Sequence, residues 1–169
     1  MTSFDQLPGS ARVWIYQASR PLTEAELRAA APALTQFVAD WTSHGRALQA
    51  GAAVFHRQFL VIGLDESQAG ASGCAIDASV HFMRGLEERW GVGLLEKSQL
   101  AFLVDGKVQL LDRRALRAAV AAGELSADTL YFDNTLTTKD QLRASWPAPA
   151  GQTWLRNYFV GVSRNALPA

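Results

Sequence analysis

The spacing of apolar residues predicts two long helices in the first half of the chain. Apolar positions three or four residues apart continue from residue 23 to about 44 and from about 74 to 90. Thr23 and Glu26 have the spacing of a capping box, in which each side chain binds the other residue's backbone amide. Gly45 is expected to end the first helix, because glycine readily adopts the left-handed conformation of a C-terminal cap.

Strand-like segments lie before, between and after these helices. Residues 12–17, 52–56, 59–64 and 100–104 are rich in β-branched, aromatic or other apolar side chains. The predicted order is therefore β-α-β-β-α-β, which is that of a ferredoxin-like α+β sandwich. We expect residues 12–104 to form this domain, with an antiparallel sheet and both helices on one face.

A smaller C-terminal region is predicted over residues 105–160. Asp105-Gly106 lies between two apolar runs and is a strong hairpin signal, and Asp112 is placed to cap the helix that follows. The apolar residues of 154–159 are expected to dock a last short helix. This β-α-β and helical region either extends the first domain as one continuous domain or forms a small satellite.

The first eleven residues carry a weaker signal. They are mostly polar and include Pro8 and Gly9. We therefore expect a loose lead-in rather than a packed element.

Composition narrows the class of protein. The 169 residues contain 16 Lys+Arg and 16 Asp+Glu, so the net charge is near zero and nucleic-acid binding is not favoured. One cysteine excludes an internal disulfide, and one cysteine with three scattered histidines gives no zinc spacing. No run approaches the roughly 20 apolar residues of a membrane span, and no signal peptide is visible. We expect a cytoplasmic protein without membrane, metal or cofactor.

The stretch from Asp65 to Cys74 is the strongest candidate for a site. It is a loop of small residues that leads into a helix N-terminus, where backbone amides favour anions. A ferredoxin-like sheet with its first and third strands parallel would bring this loop beside residues 17–20. We expect an anion site there; its candidate ligand-binding residues are Gln17, Arg20, Ser67, Ser72 and Gly73. Alternatively, Arg20 pairs with Asp65 or Glu66 and closes the edge.

Cys74 is the candidate catalytic residue. A helix N-terminus favours the thiolate, so this thiol could act as a nucleophile or redox centre. His81 lies seven residues along the same helix, about 10 Å away, which is too far for a hydrogen bond. His81 can instead pair with Asp77, four residues earlier. We therefore expect Cys74 to be chemically ordinary, a small residue that fills space.

Two resemblances add expectations. The run Asp65-Glu-Ser-Gln-Ala-Gly-Ala-Ser-Gly-Cys-Ala-Ile-Asp77, the opening 12–17 and the segment 41–45 resemble an uncharacterised family of bacterial proteins often labelled "ABC transporter ATPase". That similarity covers nearly the whole chain. The Gly-x-x-x-x-Gly-Lys-[Ser/Thr] phosphate loop is absent, so the residues do not support ATP hydrolysis.

The second resemblance covers roughly residues 102–150. The sequence around Asp105-Gly106 and the run Val120-Ala-Ala-Gly-Glu-Leu-Ser-Ala-Asp128 look like GYF-type adaptor modules. That resemblance implies binding of proline-rich peptides, although the Gly-Pro-aromatic signature of those modules is absent here.

Three functions remain open on the sequence. The first is a non-enzymatic protein that binds a small anion or a partner segment at the 17–20/65–74 edge. The second is a thiol-dependent enzyme that uses Cys74, and the third is a peptide-interaction module in the C-terminal region. The lack of a general base near Cys74 favours the first function over the second.

Overall fold

A computed structural model describes residues 3–161 and shows an α+β protein with antiparallel sheets. The strands are β1 (Arg12–Gln17), β2 (Thr42–Ser43), β3 (Arg46–Ala47), β4 (Gln49–Phe55), β5 (Phe59–Asp65), β6 (Gln99–Val104), β7 (Lys107–Asp112), β8 (Leu130–Tyr131) and β9 (Ala148–Pro149). The α-helices are α1 (Glu24–Asp40), α2 (Gly73–Trp90), α3 (Leu116–Ala121) and α4 (Lys139–Ser145). Short 3₁₀ helices include Phe4–Gln6, Arg113–Ala115 and Trp154–Tyr158.

The described chain divides into two compact units. The first unit consists of residues 3–97 and 134–144, and the second of residues 98–133 and 145–161. The first unit therefore ends before β6, not at residue 104, because β6 pairs with β7 and β8 in the sheet of the second unit. Apolar runs predict that a strand exists, but they do not say which sheet it joins.

The sheet of the first unit has the order β1-β5-β4, and both pairings are antiparallel. In β1, Arg12 lies opposite Leu64 and Gln17 lies opposite Phe59. The prediction that the first and third strands are parallel is therefore wrong. Because α1 returns the chain to its starting end, β4 runs parallel to β1, and the tight turn after β4 reverses β5 between them.

The ferredoxin-like sheet is also incomplete. The fourth predicted strand, β6, does not join it. The backbone of 137–138 lies beside β1 instead, through a bridge between Arg12 and Thr138 and a 2.9 Å hydrogen bond from the Val13 amide to the Thr137 carbonyl. The order of elements along the chain cannot show whether β6 or residues 137–138 lie beside β1, because either would cover the same edge of that strand.

Both long helices pack on one face of this sheet, as predicted. The core is built from alternate strand residues such as Leu60 and Ile62, with Leu34 of α1 and Met83 of α2. Thr23 and Glu26 form the predicted capping box at the start of α1. Gly45, however, does not cap α1: the helix ends at Asp40, and Gly45 takes a φ of 76° in the β2–β3 turn.

The opposite face of the sheet is covered by residues 3–7. Phe4 and Leu7 are 5% and 4% exposed, so residues 3–7 are a packed element and not a loose lead-in. Gly51 and Gly63 lie opposite each other in β4 and β5 and leave room for this segment. A Cβ at Gly51 would lie 2.7 Å from the Phe4 nitrogen, and one at Gly63 would lie 2.6 Å from Leu7 Cδ1.

A buried lysine fastens this N-terminal segment. Lys139 is 1% exposed, and its Nζ donates to the carbonyl oxygens of Phe4, Asp5 and Leu7 at 2.9, 2.7 and 2.6 Å. Burial lowers the pKa of Lys139. A lysine is almost never fully buried unless its ammonium group is satisfied, and here three backbone carbonyls satisfy it.

The second unit contains a sheet of order β7-β6-β8-β9. Asp105 and Gly106 both have positive φ in the β6–β7 turn, which confirms the predicted hairpin. The Asp112 side chain accepts a 2.8 Å hydrogen bond from the Arg114 amide and starts the 3₁₀ turn that continues into α3. Phe102, Leu116 and Leu155 are fully buried and form the centre of the core.

Candidate functional site

The two halves of the predicted anion site lie at opposite ends of the first unit. Arg20 Nη2 donates to the carbonyl of Trp90, the last residue of α2, at 3.0 Å. Cys74 is the second residue of the same helix. Sixteen residues of α-helix span about 24 Å, so Arg20 cannot contribute to a site at the 65–74 loop. The shared 17–20/65–74 edge does not exist, because it depended on a parallel pairing of β1 and β5.

Arg20 has a different partner from those considered for it. Its guanidinium forms two hydrogen bonds with Glu26, at 2.9 and 2.8 Å, and the Glu26 side chain is 12% exposed. The hydrogen bond from Arg20, with that from the Thr23 amide, lowers the pKa of Glu26 to about 2. Glu66 lies 3.6 Å from Arg12 instead. Arg20 therefore ties the start of α1 to the end of α2.

Most of the other predicted ligand-binding residues are engaged in hydrogen bonds within the first unit. The Gln17 amide oxygen accepts a 2.8 Å hydrogen bond from Asn134. Ser72 is the N-cap of α2, and its own amide donates to Ser43 Oγ at 3.2 Å. Ser67 donates its amide to the Asp65 carboxylate at 3.0 Å. Gly73 begins α2 and is exposed.

Cys74 lies exposed in the first turn of α2. Within residues 3–161 no hydrogen bond links its thiol to a histidine or a carboxylate. His81 is exposed about two turns further along the helix. In the same part of the chain, no group of three or more His, Cys, Asp or Glu residues is arranged to hold a metal ion. The structure thus gives this thiol access to solvent but no neighbouring base.

An aromatic surface in the second unit is the clearest candidate that the sequence did not single out. Trp154 is 37% exposed, although the apolar pattern of 154–159 predicted a docked face. Its ring contacts Tyr131 at a centroid distance of 6.2 Å and Tyr158 at 6.4 Å, with interplanar angles of 79° and 80°. Rings at these separations and angles are in edge-to-face contact, not in a parallel stack.

Two arginines lie on this surface. The Arg113 guanidinium carbon is 5.1 Å from the centroid of the Trp154 ring, and that of Arg117 is 5.2 Å from the centroid of the Tyr158 ring. Both distances are within the range of a cation–π interaction. We call Arg113, Arg117, Trp154 and Tyr158 the aromatic–arginine surface.

Trp154 packs against the ring of the buried residue Tyr131. Tyr131 is 4% exposed, and the Trp154 ring packs against its ring edge-to-face. Burial, with the nearby charge of Asp133, raises the pKa of Tyr131 to about 12. The phenol therefore keeps its proton at physiological pH, and its ring supports the indole through the edge-to-face contact.

A signal for this surface is present in the sequence. Arg113 and Arg117 are four residues apart, and so are Trp154 and Tyr158. In an α-helix, each spacing would place its two side chains on one face. The sequence does not show that the two faces meet, since 36 residues separate Arg117 from position 154.

Comparison with known proteins adds no assignment. No protein-family model, curated protein or solved structure matches the chain. Within residues 3–161 no helix combines the length and apolar character needed to cross a bilayer. The two resemblances seen in the sequence therefore stay predictions.

Proposed function

We propose that this protein is a non-enzymatic binding protein that recognises an extended, proline-containing segment of a partner through the aromatic–arginine surface. The observation that carries the proposal is the exposed indole of Trp154, held between Tyr131 and Arg113. Tryptophan is enriched among the residues that dominate binding energy at interfaces.

The geometry suits an extended peptide. Pro-rich segments bind to aromatic-lined surfaces because they adopt a polyproline conformation before binding and lose little entropy. The Trp154 ring meets the rings of Tyr131 and Tyr158 at 79° and 80°, and its exposed part offers an aromatic surface of the kind against which a pyrrolidine ring packs. Trp154 already packs edge-to-face on the buried ring of Tyr131, so ordering its side chain costs little when a peptide binds.

This proposal corresponds to the third function considered on the sequence, with the surface now defined. The anion-site proposal at the 17–20/65–74 edge is withdrawn because its residues are about 24 Å apart along α2.

Fluorescence anisotropy of a fluorescein-labelled peptide of ten prolines tests the proposal. We expect saturable binding that Trp154→Ala weakens about 30-fold, equivalent to about 2 kcal/mol. Arg156→Ala is the matched control, because Arg156 is exposed in the same 3₁₀ helix and makes no cation–π contact within residues 3–161. Urea unfolding of both variants checks that the fold is retained. No saturable binding, or equal affinity for wild type and Trp154→Ala, would overturn the proposal.

A further inference from the structure

The two arginine–ring pairs of the aromatic–arginine surface, Arg113 on Trp154 and Arg117 on Tyr158, lie next to each other. Arg113 and Arg117 are four residues apart, as are Trp154 and Tyr158, and the two guanidinium-to-ring distances are 5.1 and 5.2 Å. The centroids of the Trp154 and Tyr158 rings lie 6.4 Å apart. The surface thus presents two guanidinium groups, each on one of two neighbouring rings.

Neither of these arginines has an acidic partner in the described part of the chain. Arg113 and Arg117 are exposed, and no salt bridge to either occurs within residues 3–161. Arg114, which lies between them in sequence, differs: it forms hydrogen bonds of 3.1 and 2.9 Å with the Asp112 carboxylate. One arginine of the three therefore has its charge matched, and the two on the aromatic rings do not.

A guanidinium group that lies over an aromatic ring still has its N–H donors available for hydrogen bonds. The five N–H donors lie in the guanidinium plane, in a fork that matches a carboxylate, whereas the ring interacts with the face of the group. Stacking also restricts the otherwise flexible side chain, which reduces the entropy lost on binding. The pair therefore resembles a prepared receptor for two carboxylates.

We infer that the partner segment is acidic, with two carboxylates that Arg113 and Arg117 bind while Trp154 and Tyr158 contact its apolar part. This inference rests on the proposed function. In an extended peptide, side chains two residues apart lie on the same side and about 6.6 Å from each other. An Asp-x-Asp pair next to a proline-containing stretch therefore presents two carboxylates at a separation close to the 6.4 Å between the two rings on which the arginines lie.

A single-stranded nucleic acid also combines negative charge with groups that stack on aromatic rings. Two observations favour the peptide. Successive bases stack on open aromatic faces along a cationic groove, whereas here the rings are perpendicular and an arginine covers one face of Trp154. The chain as a whole also has 16 basic and 16 acidic residues, with no surplus of positive charge.

The test compares two labelled peptides that differ only in charge, one with Asp-Ser-Asp and one with Asn-Ser-Asn after six prolines. We expect the full-length protein to bind the Asp peptide about tenfold more tightly, with a preference that weakens as salt is added. Arg113→Gln and Arg117→Gln should each remove most of that preference. Arg114→Gln is the matched control and should retain it, because Arg114 is already paired with Asp112.

Each other outcome has a distinct meaning. If both peptides bind equally and Trp154→Ala weakens both, the inference is overturned while the proposed function stands. If neither peptide binds, both are overturned. If labelled oligothymidine binds and the Asp peptide does not, the surface binds single-stranded nucleic acid and the inference is overturned.

Discussion

Gly51 lies directly opposite Gly63 in the central sheet, and the backbone of Phe4 occupies the space above Gly51. A methyl group at position 51 would be 2.7 Å from the Phe4 nitrogen and 2.9 Å from its Cα. These are backbone atoms, so the strain cannot be relieved by a rotamer change. The glycine pair therefore determines that the N-terminal segment can pack against the sheet.

We predict that Gly51→Ala destabilises the protein by about 1–3 kcal/mol, the usual cost of overpacking a core. The same substitution at Gly85 is a control with the opposite sign. Gly85 lies within α2, and nothing would lie within 4 Å of its Cβ. Gly85→Ala should stabilise the protein by about 0.5–1 kcal/mol, because alanine is the better helix former. Urea denaturation of both variants measures the difference, and a neutral Gly51→Ala would contradict the packing described here.

Replacement of the buried lysine should be costly. Lys139→Met keeps a long, flexible side chain but leaves the carbonyls of Phe4, Asp5 and Leu7 without their donor. We expect a loss of about 2–4 kcal/mol in the free energy of unfolding. Lys97→Met, at an exposed position, should change stability by less than about 0.5 kcal/mol. Equal stability of the two variants would show that the carbonyl contacts contribute nothing.

The Arg20–Glu26 pair predicts a specific pH dependence. The hydrogen bond from Arg20 holds the pKa of Glu26 at about 2 in the folded protein, against 4.5 for an unperturbed glutamate. A lowered pKa adds stability that is fully present above the unfolded value and is lost as the pH falls toward the folded value. Wild type should therefore be more stable than Glu26→Gln at pH 7, and the difference should disappear as the pH falls from about 4.5 to 2.

Glu26→Gln isolates the charge, because glutamine at this position can still complete the capping box with Thr23. Glu88→Gln, at an exposed position of α2 without an ion pair among the described residues, is the control. A difference between wild type and Glu26→Gln that does not change with pH would exclude the ion pair as its source.

The thiol should be accessible and dispensable. Cys74 is exposed at the start of α2. We therefore expect Ellman's reagent to titrate one thiol per native chain, as it does in urea. Cys74→Ser should change the free energy of unfolding by less than about 0.5 kcal/mol. A thiol that reacts only after unfolding would contradict the exposure described for it.

The local elements of the fold could largely be predicted from the sequence. The capping box of Thr23 and Glu26, the span of α2 and the Asp105-Gly106 turn depend on residues close together in the chain, so their signals are local. The prediction that Gly45 ends α1 is wrong because a left-handed glycine suits a hairpin turn as well as a helix end.

The long-range arrangement could not be predicted in the same way. Nothing near Phe4 shows that it packs over Gly51, and nothing near Lys139 shows that three distant carbonyls surround its ammonium group. The direction of β5 beside β1 is a different case, because the order β-α-β-β already requires these two strands to be antiparallel, and the expectation of a parallel pair is wrong for that reason. A single mistaken strand direction therefore moved the expected site by the length of a helix.

The path of the chain has a consequence for biosynthesis. Residues 134–144, which carry Lys139, belong to the first unit but follow residues 98–133 of the second. On the ribosome the first unit therefore stays incomplete until most of the second has been translated. A messenger truncated after codon 97 would encode Gly51, Gly63 and Phe4. It would lack Lys139, whose ammonium group holds the N-terminal segment against the sheet. The gene cannot be divided at that point into two cassettes that each encode a complete unit.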